Sequence, residues 1–122
     1  MELRECYVKC GGDYEDALSR LMNKEAFVKR LLLKFPDDGS FLLLKTSIDG
    51  GDAETAFRAA HTLKGVAQNL SLTKLGSSAS ALTEALRGGS ITDDVPALML
   101  RVSQDYAVTL AAINEYREKS EN

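Results

Sequence analysis

The chain has 122 residues, 44% of them apolar and 27% charged, with a net charge of −3 and a pI near 5.2. That length predicts one domain, 1–122, with enough apolar residues for a single core. The acidic balance argues against a nucleic-acid binder or an anionic-membrane binder. The charged start, Met1-Glu2-Leu3-Arg4-Glu5, is not a secretory leader, and the apolar runs at Leu31–Leu33 and Phe41–Leu44 are too short to span a bilayer, so a cytoplasmic chain is expected.

Taken in order, the chain reads as a series of helices. Leu3 to Lys9 is a short helix stopped by Gly11-Gly12. Asp13 is the expected N-cap of a second, with Ala17, Leu18 and Leu21 on its apolar edge. Asn23 is the expected cap of a third that runs to Lys34, with Phe27, Leu31, Lys34 and Phe35 on one face. Pro36-Asp37-Asp38-Gly39 breaks or kinks it. Cys6 and Cys10, four residues apart, read as ordinary buried or half-buried thiols, since no further Cys or His lies near enough in sequence to complete a metal site.

A fourth helix follows from Phe41 to Ile48, with Phe41, Leu44 and Ile48 at helical spacing and Gly50-Gly51 at its end. Asp52 then caps the stretch that holds the only histidine. At about 100° per residue, Ala56, Ala59, Ala60, Leu63, Val66, Ala67 and Leu70 share one arc. Phe57, Lys64, Gly65, Gln68, Glu54 and Arg58 fall within about 60° of His61 on the opposite side. A core histidine would lie among the leucines; this one does not.

Beyond that helix, Leu72, Leu75, Ala79, Leu82 and Leu86 make a stripe at alternating spacings of three and four. Gly88-Gly89-Ser90 ends it. Thr92 or Asp93 opens the last helix, with Pro96 in its first turn and Leu98, Val102, Tyr106, Leu110 and Ile113 as its core face. Ser120-Glu121-Asn122 is expected to fray. No strand-like alternation appears, and the connections are short and Gly-rich. The fold expected is all-α, an antiparallel up-down four-helix bundle with short additional N-terminal helices packed at one end.

The residues around His61 point to phosphoryl chemistry. An exposed imidazole titrates near neutrality, and its neutral form is a competent nucleophile toward an activated phosphoryl group. Lys64, one turn on, can set an ammonium against phosphoryl oxygens, and Gly65 leaves room for the group and for a partner's loops. Gln68 lies on the same face as a hydrogen-bond donor, while Asn69 lies further round and would hold the helix end. Phe57 is expected as an exposed aromatic of a docking surface, and Arg58 with Lys64 as a positive rim. The sequence near His61 offers no acidic pocket for Mg²⁺ and no phosphate-cradling loop, so no metal site, no cofactor and no independent catalysis are expected.

His61-Thr62-Leu63-Lys64-Gly65, followed by Asn69-Leu70 and Leu75, resembles the signature of histidine-containing phosphotransfer (HPt) domains of two-component phosphorelays. Gly50-Gly51-Asp52 and Ala56-Phe57-Arg58-Ala59-Ala60 resemble the family's lead-in, and the likeness runs from about Gly12 to Tyr116. Ser71 stands where the family usually has Gly; as Ser it is expected to cap the next helix. The resemblance implies a phosphorelay intermediate that accepts a phosphoryl group on His61 and passes it on. Its partners would be a response-regulator receiver domain or a hybrid histidine kinase, with the Mg²⁺ and the aspartate on the receiver. A monomer is expected. Two other readings fit the residues. One is a receiver-binding helical module that is never phosphorylated. The other is an enzyme or metal protein using His61 as base or ligand, which needs a second polar group converging on the ring.

Overall fold

A computed structural model describes residues 1–120, and every described element is helical. In chain order these are α1 (Leu3–Cys10), α2 (Tyr14–Arg20), α3 (Glu25–Lys34), a 3-10 turn at Phe35–Asp37, α4 (Ser40–Asp49), α5 (Ala53–Asn69), α6 (Thr73–Leu86) and α7 (Val95–Ser120). No helix among the described residues is long and apolar enough to cross a membrane.

Local signals set most of the boundaries. Gly11 ends α1 in the left-handed conformation, at φ 72°. The Asp13 carboxylate accepts the Asp16 N–H at 3.0 Å, and the Asp52 carboxylate accepts the Thr55 N–H at 3.1 Å, so both expected acidic caps form. Asn23 does not cap α3. It lies in the left-handed region with Met22, and Lys24 is the residue before the helix. Two successive residues at positive φ turn the chain sharply there, so the start moves one residue on. At the other end of the chain, Ser120 is still helical and its hydroxyl donates to the Met1 carbonyl at 3.4 Å; Glu121 and Asn122 lie outside the described residues.

The core runs along the α5, α6 and α7 axes. α5 lies between α4 and α6, α6 packs on α7, and α1 packs on α7 as well. All five residues of the α6 stripe, Leu72 through Leu86, are completely buried. The α7 face is rotated from the expected one. Val102 and Ile113 are buried, but Leu98, Tyr106 and Leu110 are only half-buried. Ala112, Tyr116 and the polar Asp105 and Thr109 are buried in their place. The reason is that α7 is covered chiefly by α6 and α1, so its buried arc extends past the leucine stripe. In α3, likewise, Val28 and Leu32 are the buried pair, and Phe27, Leu31 and Lys34 are not. Tyr106 is half-buried because it stacks on Phe41, ring centroids 4.0 Å apart.

The two thiols are part of this core. Burial first, then the neighbouring Cys10, pushes the Cys6 thiol up to about 12, and burial raises Cys10. Both stay protonated at neutral pH, which leaves them inert as nucleophiles and poor as ligands.

Candidate functional site

α5 is the element that builds the site. Ala53, Ala56, Ala59, Ala60, Leu63 and Ala67 are buried, so five of the six buried positions of the helix carry only a methyl group. Small side chains let the flanking helices approach closely, which fixes the rotation of α5 about its axis. On α6 the same economy appears at Gly76. A Cβ there would come within 3.4 Å of the Gln68 side chain and 3.8 Å of the Ala67 methyl.

That rotation leaves His61 outside. The ring is solvent-exposed, as are Glu54, Arg58, Gly65 and Gln68. Lys64 is half-buried. A Cβ added at Gly65 would meet nothing within 4 Å, so the backbone next to His61 faces open space. Gly65 is therefore not a packing glycine. Arg58 pairs with Glu54 at 3.0 Å on the exposed face, which weakens its availability as a free cation. Gln68 borders a groove of about 450 Å³ shared with Asp16, Arg20, Ser71 and Ser77.

Phe57 departs from the expectation. It is half-buried, with its ring 6.2 Å from the His61 ring and only 17° off parallel. The Arg87 guanidinium covers it at 5.2 Å. Arg87 follows the last turn of α6 and is gripped by Glu84 through two hydrogen bonds, 2.8 and 3.0 Å. Those bonds hold the Glu84 carboxyl below its usual range, and the Lys64 charge adds to the effect. Arg87 and Glu84 are site residues that the sequence reading missed. The signal was in the helix register. Gln68 and Gly76 touch near the α5–α6 turn, so counting equally along both antiparallel helices brings Phe57 level with Arg87.

The C-terminal end of α5 is held from the other end of the sequence. The buried Tyr7 hydroxyl donates to the Leu70 carbonyl at 2.8 Å, and the Asp13 N–H donates to the Ser71 carbonyl at 2.9 Å. Ser71 does not cap α6. It sits at φ 54°, and its hydroxyl donates instead to the Asp16 carboxylate at 2.6 Å. A left-handed residue explains why a glycine would suit this position, and the hydrogen bond to Asp16 compensates a serine there. Gly12 has no such latitude: a Cβ would lie 2.7 Å from the Tyr7 ring and 2.9 Å from the Ser71 oxygen.

Among the described residues no group of three or more His, Cys, Asp or Glu side chains has the arrangement of a metal site. Chemically, the face offers a nucleophilic ring, one ammonium a turn away, an open backbone position and a cation-covered aromatic. Among the described residues no side chain is hydrogen-bonded to the ring as an acid or base. A family model described as Hpt domain matches residues 30–116, well over half of the chain. No curated protein and no solved structure matches it.

Proposed function

As the chain belongs to the Hpt domain family, whose members carry phosphoryl groups on histidine in two-component signalling rather than catalyse their transfer, we propose that His61 is its phosphoacceptor. In this reading His61 takes the group from a receiver-domain aspartyl phosphate, or within a histidine-kinase pathway, and hands it to another receiver. A lone pair of the neutral imidazole attacks phosphorus. The N–P bond forms as the P–O bond to aspartate breaks, and the carboxylate leaves with the electron pair. The second ring nitrogen keeps its proton, which the phosphoimidazolium then shares with solvent. In this reading Lys64 offsets the phosphoryl charge, Gly65 gives access, and Gln68 donates a hydrogen bond. Phe57 and Arg58 belong to the docking surface. Mg²⁺ is supplied by the receiver, not by this chain.

The observation that carries the reading is the exposure of the one histidine beside an unobstructed glycine on an otherwise closely packed helix. The wider picture follows the same lines. We read α4 to α7 as an up-down four-helix bundle forming one domain with α1–α3, acting as a monomer in the cytoplasm. The short connections and the pairwise packing of successive helices support that topology. The alternative, a receiver-binding module that is never phosphorylated, shares every contact but not the chemistry.

Incubation with phosphorylated receiver domains tests it. Acid-labile, alkali-stable label should appear on this chain and vanish in His61→Gln. Label on Asp or Ser, or none with any receiver, would sink the carrier reading, and retained function in His61→Gln would favour the binding module.

A further inference from the structure

An acidic side chain near a phosphoacceptor is an electrostatic liability, and on the proposed site's edge that side chain is Glu84, whose charge reaches Lys64. Arg87 is level with Phe57, whose ring stacks near His61. Glu84 lies one turn back along α6, within electrostatic reach of Lys64, and Lys64 is one helical turn from His61, so the carboxylate sits at the edge of the histidine face. The incoming group is an anion, and the product is a dianion attached to the ring. Left bare, Glu84 would repel both.

It is not bare. Arg87 meets both Glu84 oxygens, through Nε at 3.0 Å and Nη2 at 2.8 Å. The guanidinium is then fixed a second time, over the Phe57 ring. Both side chains are more than half exposed, at 55% and 57%, so the pair contributes little to folding. Its two attachments instead define where one positive and one negative charge sit relative to His61.

We propose that Arg87 is a positioning residue that neutralises Glu84 at the edge of the phosphoacceptor site, leaving Lys64 as the cation that the phosphoryl group meets. Arg87 acts through Glu84 and does not itself bind the phosphoryl group. This inference rests on the phosphoacceptor reading of His61 and specifies the electrostatics of that same site.

A charge cycle with a small phosphodonor tests it without a partner protein. Phosphoramidate transfers its phosphoryl group as the new N–P bond to His61 forms, the old P–N bond breaks and ammonia leaves with the electron pair and a proton. The labelling rate is measured for the full chain, Arg87→Ala, Glu84→Gln, the double variant and Arg87→Lys. At low salt, Arg87→Ala should slow labelling about threefold, the order expected of one unit charge screened by water. The double variant should return to the starting rate, Arg87→Lys should keep most of it, and about 1 M salt should close the gap between Arg87→Ala and the parent. Matched thermal melts show that the fold is unchanged.

A double variant as slow as Arg87→Ala overturns the proposal, because Arg87 would then act on the phosphoryl group directly. Equal rates for Arg87→Ala and the parent overturn it too. Absence of label on the parent with phosphoramidate and with every receiver is a different failure, that of the carrier reading itself.

Discussion

The two faces of α5 obey opposite rules. The buried face is closed to solvent: Leu63 has no exposed surface, and alanines at 56, 59, 60 and 67 are almost wholly covered by neighbours. On the exposed face the chain packs little beyond the half-buried Phe57 and Lys64, and at Gly65 it gives up the side chain as well. The first face holds the helix at a fixed rotation; the second uses that rotation to present an imidazole. The proposed phosphoryl carrier needs both, since a ring on a helix free to roll would not be aimed.

The largest expected effect breaks the comparison on its open side. His61→Gln should remove phosphoryl labelling completely while leaving the thermal melt nearly unchanged, because the ring is exposed and no hydrogen bond among the described residues depends on it. A large loss of stability would mean that the imidazole is a structural group. The matching break on the closed side is Leu63→Ala. Truncating a completely buried leucine should destabilise the domain by about 2–5 kcal/mol, read from denaturant midpoints. Labelling per folded molecule should persist, since the side chain faces away from His61.

Gly65 sharpens the contrast, because there the two demands oppose each other. Glycine within a helix is roughly 1 kcal/mol worse than alanine. A methyl group at this position would touch nothing within 4 Å, so Gly65→Ala should raise stability by up to about that amount with little loss of transfer. Gly65→Phe should also fold, yet slow transfer from a receiver by about tenfold or more, a barrier increase of roughly 1.4 kcal/mol. Equal transfer rates for the parent and Gly65→Phe would show that open space at this position has no part in docking.

How much of this could be read from the sequence follows the same division. The α5 faces were legible because both depend on one helical period within a single segment. The α6 stripe was legible for the same reason. What escaped required knowing which helix lies beside which. Asp105 and Thr109 are buried on α7, a helix that packs chiefly against α1 and α6. Arg87 reaches Phe57 across helices, from thirty positions away. Asn23 and Ser71 look like caps to a local reading, and their left-handed backbone puts them to other uses. The Tyr7 bond to Leu70 joins positions 63 residues apart and leaves no mark on either segment alone.

The smallest expected effect concerns that long-range clasp, and its pH dependence identifies the group responsible. Asp16 is held below its usual range first by the Ser71 hydroxyl and then by Arg20. A carboxylate depressed in the folded state stabilises the fold above its unfolded value of about 3.9, and that contribution disappears as pH falls through the lower folded value. Ser71→Ala removes the first cause while keeping a non-glycine residue in the same left-handed backbone, so strain is held constant. Urea midpoints should therefore place the variant below the parent at pH 6 and bring the two together toward pH 3. An equal gap at both pH values would assign the serine's contribution to something other than Asp16. The clasp would then owe its hold on the end of α5 to Tyr7 and the backbone bonds alone, and the N-terminal helices would steady the histidine helix without any charge taking part.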